Sequence, residues 1–179
     1  MAKITIFGLA GTGTSSAGKM LTERLGYQFV SSGNIFRNRA KELGLSLADF
    51  GSLCERESEH DKALDQEIKY VGEISDNLVV ESRLAWHFIP DSIKIKFICE
   101  NEERLRRIAK RDGLTVDEAR ELTTARDQSE VLRYQSYYGL SELGPDQAFD
   151  LIVDTTTLPL LDVVEKVLTY LRTDKGLAI

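Results

Sequence analysis

The residues of this chain best suited to chemistry lie directly behind its first apolar run. Residues 4–16 read Ile-Thr-Ile-Phe-Gly-Leu-Ala-Gly-Thr-Gly-Thr-Ser-Ser. A strand pattern thus runs into Gly8, Leu9, Ala10, Gly11, Thr12, Gly13, Thr14, Ser15 and Ser16, and these open a helix pattern. Glycines let consecutive backbone N–H groups curl around a phosphate, and the dipole of the helix behind them favours negative charge. In the phosphate-loop pattern G-x-x-x-x-G-K-[ST], Gly8 and Gly13 take the glycine positions and Ser15 takes the hydroxyl that ligates Mg²⁺. Thr14 stands where the pattern has lysine, so another cation must help neutralise the phosphates. A second register, from Gly13 to Lys19, fails because Met20 cannot bind Mg²⁺ and the feeding strand ends at Phe7. Lys19 is read as a solvated helix lysine.

Further candidates follow the other apolar runs. Glu81 closes Leu78-Val79-Val80, where it could hold Mg²⁺ through water beside Ser15 or be an ordinary strand-end carboxylate. Arg83 could bind a phosphate with both arms of its guanidinium, or pair with Glu81 or Asp65. Ser32 and Gly33 with Arg37 form a second anion candidate, in which Ser32 can cap a helix that carries Arg37 back towards the sheet edge. Arg126 and Arg133 are seven apart and share a helix face, with Ser129 and Glu130 between them. Arg111 precedes the turn at Asp112-Gly113 and could converge on the same point. Such a fan is what a closing lid needs to neutralise a phosphoryl group in transfer, the plainer alternative being a solvated charged helix. Asp61 and Asp65, four apart, offer acceptors to a base amino group or a ribose hydroxyl, or simply make an acidic surface.

Five apolar runs position these groups: residues 4–7, 28–30, 78–81, 93–99 and 151–154. They alternate with helical patterns, which predicts an α/β fold with a parallel sheet covered on both faces. Ligands of such sheets bind beyond the carboxyl ends of the strands, and the candidates above gather there. Ser46 to Asp49 forms an approximate helix cap, and Thr115 with Glu118 a full capping box. The first helix should bury Ala17, Met20, Leu21 and Leu25, and the last one, over residues 159–171, Leu161, Val164 and Leu168. The chain has 179 residues, three prolines and no repeat, so one domain over residues 1–179 is expected. No apolar run approaches the ~20 residues of a membrane span. The strand pattern begins at once after Met1-Ala2-Lys3, without a signal peptide. Cys54 and Cys99 suggest neither a disulfide framework nor a metal cluster, Cys99 being read as buried packing. The expected compartment is the cytoplasm. A net charge of −6 argues against binding long nucleic acid. The arginines from Arg104 to Arg133 suit a small polyanion better.

These residues together resemble a nucleoside monophosphate kinase of the P-loop kinase fold, most closely the compact archaeal-type cytidylate kinase. The likeness spans nearly the whole chain. It rests on residues 8–16, on Ser-Ser-Gly-Asn-Ile-Phe-Arg at 31–37 and on Val-Glu-Ser-Arg-Leu-Ala at 80–85. It continues through residues 104–113, 126–134 and 150–155. That family's loop often reads G-x-G-T-[ST]-[ST], so Thr14 is similar to a family trait. Ser82 departs from the family's usual glycine, and Asn34 from its usual glutamate. The resemblance implies a three-layer α/β/α fold with a five-stranded parallel sheet, a monophosphate-binding region at about 31–76 and a helical lid at about 111–139. It implies ATP as donor, Mg²⁺ as cofactor and CMP or dCMP as acceptor, with the chain acting as a monomer. Residues 8–16 would cradle the donor phosphates, with Ser15 on Mg²⁺ and Glu81 in its outer shell. Ser32, Arg37 and Arg83, together with Asp65, would hold the acceptor, and Arg111, Arg126 and Arg133 would close over the transferred group. By the same likeness Asp154 and Thr155 lie near the adenine. The alternatives are a kinase of this fold with another acceptor, such as UMP, AMP or a non-nucleotide alcohol, and a nucleotide-binding regulatory protein without turnover.

Overall fold

The computed structural model describes residues 2–178; Met1 and Ile179, the ends of the expected domain, lie outside them. Among the described residues five strands form one sheet: β1 (Lys3–Phe7), β2 (Gln28–Ser31), β3 (Leu78–Glu81), β4 (Ile93–Ile98) and β5 (Leu151–Asp154). All are parallel, in the order β2-β3-β1-β4-β5. Each crossover carries helix. α1 (Thr14–Leu25) joins β1 to β2, and α2 (Ser32–Glu42), α3 (Leu47–Arg56) and α4 (Glu59–Ile74) join β2 to β3. The short α5 (Ala85–Phe88) precedes β4. α6 (Asn101–Asp112), α7 (Val116–Tyr138) and a 3₁₀ turn (Asp146–Ala148) lead to β5, and α8 (Leu160–Thr173) follows it.

Alternation along the strands divides the core between the two faces of the sheet. Ile4, Ile6, Val79, Ile95, Phe97 and Val153 meet Ala17 and Leu21 of α1 and the valines of α8 on one face. Leu78 and Val80 meet Ile68, Ala85 and Ile89 of α4 and α5 on the other. A side chain of this size that leaves water entirely, as Leu21 does, contributes about 1.5–3 kcal/mol. α1 presses close on β2: a Cβ at Gly18 would lie 2.6 Å from the Phe29 ring. Two smaller apolar clusters stand apart from the sheet, one around Phe50 and Cys54, the other around Ile108 and Ala119 between α6 and α7.

The helix starts at Ser46 and Thr115 are as expected; Ser46 accepts from the Asp49 N–H, and Thr115 with Glu118 makes a complete capping box. Three local expectations change. The cap of α2 is Ser31, whose hydroxyl accepts from the Asn34 N–H at 3.3 Å, so Ser32 is the first helical residue and caps nothing. Leu161 is 55% exposed, because Val163, Val164, Val167, Leu168 and Leu171 form the stripe of α8 that faces the sheet. Cys99 is only partly buried, lying one residue beyond the end of β4. No described helix is long and apolar enough to cross a membrane.

Candidate functional site

β1 is the central strand, so the loop that leaves it opens at the middle of the sheet's carboxyl edge. Gly11 and Gly13 take φ of +85° and +91°, where a side chain would strain the backbone. A Cβ at Gly11 would also lie 2.7 Å from the Arg104 carbonyl oxygen. These turns aim the carbonyls of residues 8–13 outward, and every one of them accepts a hydrogen bond. Gly8 accepts from Arg83, Leu9 from the Thr12 hydroxyl (2.8 Å) and Ala10 from Arg104 Nε (2.9 Å). Gly11 accepts from Arg107 (3.4 Å), Thr12 from the Thr155 hydroxyl (2.9 Å) and Gly13 from the Ala17 N–H (3.0 Å). Among the described residues no partner takes the N–H groups of Gly11, Gly13, Thr14 or Ser15. A loop with its carbonyls tied back and its amides free, opening α1 at its dipole-positive end, binds anions.

Glu81 sits beside that loop because β3 pairs with β1 in register, Ile6 opposite Glu81. Its carboxylate accepts from three hydroxyls: Thr14 (2.7 Å), Ser15 (2.8 Å) and Ser31 (2.6 Å). Thr14, in the place of the absent lysine, is therefore buried and turned to Glu81. Lys19 is exposed on α1, as read from the sequence.

Arg83 takes neither of the ion-pair partners considered for it. Its Nε donates to Glu130 at 2.8 Å, and Glu130 accepts from Arg126 Nε at 2.9 Å through its other oxygen. Burial would push the Glu130 carboxyl up, but the flanking Arg83 and Arg126 guanidiniums outweigh it and hold it down at about 2. Arg37, on the second turn of α2, folds back over Gly33 and donates to Asn34 Oδ1 at 2.6 Å. Arg111 pairs with Asp112 at the end of α6, and the charges of Arg37 and Arg126 also act on Asp112. Arg37, Arg111 and Arg126 thus all lie within electrostatic reach of one carboxylate, Asp112. Arg133 faces elsewhere, buried against Asp61 at 2.8 Å, with its Nε unpartnered.

The acidic pair of α4 does not form a solvated surface. Asp61 and Asp65 are 3% and 7% exposed. Asp65 accepts from the Tyr138 hydroxyl at 2.7 Å. Burial pushes its carboxyl up to about 7, an effect the Tyr138 hydrogen bond opposes and Asp61 reinforces. Ser32 lies partly buried on the first turn of α2, next to the Ser31 that holds Glu81. Asp154 accepts from Thr156, and the Thr155 and Thr156 carbonyls accept from Arg107.

Several organising groups had gone unassigned: Glu130, Asp127 (which pairs with Arg104 at 2.8 Å), Arg104, Arg107 and Ser31. The i, i+3 spacing of Arg104 and Arg107 was visible, but nothing in it pointed to loop carbonyls.

Comparison with known proteins places this geometry in a lineage. The profile of the cytidylate kinase-like family matches residues 3–157. A protein named cytidylate kinase from Methanobrevibacter smithii is 35% identical over 94% of this chain and 98% of its own. Another of that name, from Methanosarcina acetivorans, is 37% identical over 86% and 87% of the two chains. Among solved structures, shikimate kinase from Aquifex aeolicus superposes with a TM-score of 0.61 over 97% of this chain and 98% of its own. At 19% identity that likeness speaks for the fold, a P-loop kinase fold, as the strand order and loop already indicate.

Proposed function

The chain belongs to the cytidylate kinase-like family and is a phosphotransferase, and on that premise we propose that it transfers the γ-phosphoryl group of ATP to CMP or dCMP. The observation that carries this reading is the arrangement of one rim. An amide-lined anion loop opens beside Arg83, Glu130 and Arg126, and Arg37 and Arg111 share electrostatic reach of Asp112 with Arg126. Phosphoryl transfer asks for positioning and charge neutralisation more than for covalent chemistry. The loop amides of residues 8–16 hold the donor phosphates. Ser32, Arg37 and Arg83 hold the acceptor phosphate, with Asp65 on the nucleoside. Arg111 and Arg126 approach the group in transfer. Arg133 reaches it only by leaving Asp61, or acts by holding α7 in place. No strong general base is needed, since the acceptor phosphate is already anionic.

The residues present fit Mg²⁺. Ser15 offers a hydroxyl, and the Glu81 carboxylate accepts from it at 2.8 Å. No cluster of three or more His, Cys, Asp or Glu that could cage a metal occurs among the described residues. That suits an ion which keeps its waters and takes phosphate oxygens, with Ser15 as direct ligand and Glu81 reached through water. Bound there, Mg²⁺ supplies charge neutralisation on the β- and γ-phosphates. The reading includes one catalytic domain, with the acceptor region at 31–76 and the lid at 111–139. It works as a cytoplasmic monomer, since one chain supplies every group named.

A coupled ADP-release assay across CMP, dCMP, UMP, AMP and GMP tests the proposal. CMP and dCMP should be the best acceptors, with ATP and Mg²⁺ required. A tenfold or greater preference for AMP or UMP overturns the acceptor. Tight ATP binding without turnover on any monophosphate favours a regulatory role, the reading that the missing loop lysine supports.

A further inference from the structure

The loop lacks its lysine, yet positive charge stands at its mouth. We propose that Arg83 supplies the charge that Thr14 cannot, acting on the β- and γ-phosphates of the donor in addition to its place beside the acceptor, with Glu130 holding it there. The inference rests on ATP as donor.

Register puts Arg83 there. β3 pairs with β1, and Arg83 lies two residues past Glu81, level with the point where β1 gives way to the loop. Its guanidinium donates to the carbonyl of Gly8, the first residue of that loop. Its side chain is 14% exposed, so its field is little screened by water. Glu130 offers a single carboxylate to both Arg83 and Arg126. Two cations sharing one anion leave one unit of positive charge, the amount a loop lysine would have carried.

The other cations near the loop are committed elsewhere. Arg104 is matched one to one by Asp127 and bonded to the Ala10 carbonyl. Arg107 is turned to the carbonyls of Thr155 and Thr156 and paired with Glu103. Lys19 is exposed on α1. Thr14 gives Glu81 a hydroxyl in place of an ammonium, so the three side chains on that carboxylate are all neutral donors. The cation has in effect moved from α1 to the turn that follows the neighbouring strand, where α7 holds it through Glu130. Donor affinity therefore depends on the contact between Glu130 of α7 and Arg83.

Calorimetric titration with Mg²⁺ and a non-hydrolysable ATP analogue, without acceptor, tests this in wild type, Arg83→Ala, Thr14→Lys and the double variant. Arg83→Ala should weaken the analogue by ~30-fold or more. Thr14→Lys should recover at least tenfold in the Arg83→Ala background and add clearly less to wild type. An equal factor in both backgrounds overturns the inference, since the two positions would then act independently. So does an Arg83→Ala enzyme with unchanged analogue affinity and a raised KM for the acceptor alone, which would confine Arg83 to the acceptor. Should Arg83→Ala fail to fold by circular dichroism, Arg83→Lys carries the test. It keeps the charge, and must retain analogue affinity to within about fivefold; a larger loss overturns the proposal. Analogue binding by a wild type that phosphorylates no monophosphate would sink the function proposed above and leave this inference to the mutant cycle. No analogue binding at all would sink both.

Discussion

The sheet and the patch between α3, α4 and α7 are both well buried, but opposite means hold them. Around β1 the interior is mainly Ile, Val, Leu and Phe, with the neutral hydroxyl pair of Thr5 and Ser92 as a buried polar exception. Around α7 the interior contains Asp61, Asp65, Glu130 and Arg133, none more than 7% exposed. An apolar core fixes a shape and has no alternative partner for its atoms. A buried ion pair has one, because any ligand phosphate can compete for its guanidinium. The chain thus keeps its strand ends rigid and its arginines exchangeable, which is the division a phosphoryl-transfer site requires.

The largest effect should come from splitting the patch. Arg133→Met leaves the Asp61 charge buried without its guanidinium and should cost about 3–5 kcal/mol in urea unfolding. Asp61→Leu combined with Arg133→Met should restore most of that loss. If the single variant cost under ~1 kcal/mol, the claim that ions hold this region would fail. Leu21→Ala, the matching cut in the sheet core, should cost about 2–5 kcal/mol. Unlike the first loss, it should be the same in wild type and in the Asp61→Leu/Arg133→Met background, and a clear difference would erase the contrast.

Asp65 gives the comparison a pH axis. Its folded pKa is raised above the unfolded carboxylate value, so the folded chain holds a proton that the unfolded chain releases. Its contribution to stability is therefore greatest below about pH 4, declines as pH rises, and levels off above about pH 7. Asp65→Asn should remove that decline and be more stable than wild type at pH 8, by on the order of 2–4 kcal/mol. Parallel stability profiles for the two proteins across pH 4–8 would contradict it. The smallest effect is expected at the sheet's own margin. Leu161→Ala, at an exposed position, should change stability by less than ~0.5 kcal/mol, whereas burial of Leu161 would show as a loss several times larger.

The same contrast explains what could be read in the sequence. β1, the glycine loop and the strand ends were legible because alternation and glycine spacing are local signals. Ser31 and Ser32 are adjacent and both able to cap, and only the register of β2 against β3, Ser31 opposite Glu81, chooses between them. Leu161 was misplaced because α8 offers more apolar positions than one face can bury. The ion pairs were illegible for another reason. Arg133 finds Asp61 across 72 residues and Arg83 finds Glu130 across 47, and no periodicity records such a meeting. The chain showed that a cluster of arginines existed but not which acid held each one.

The Arg104 and Arg107 bonds to the loop carbonyls also fix where movement can occur. Both residues belong to α6, the helix that turns at Gly113 into α7. If α6 swung as a whole, it would pull on the carbonyls of Ala10 and Gly11 and spoil the cradle it supports. Were α7 to close over the site as the proposed lid, its fulcrum would therefore lie beyond Arg107, near the left-handed Gly113 (φ +70°). In such a stroke the stem of α6 would stay clamped to the loop. The Arg104–Asp127 and Arg120–Glu102 bridges cross from that stem to α7, and both are tethers that such a stroke would strain.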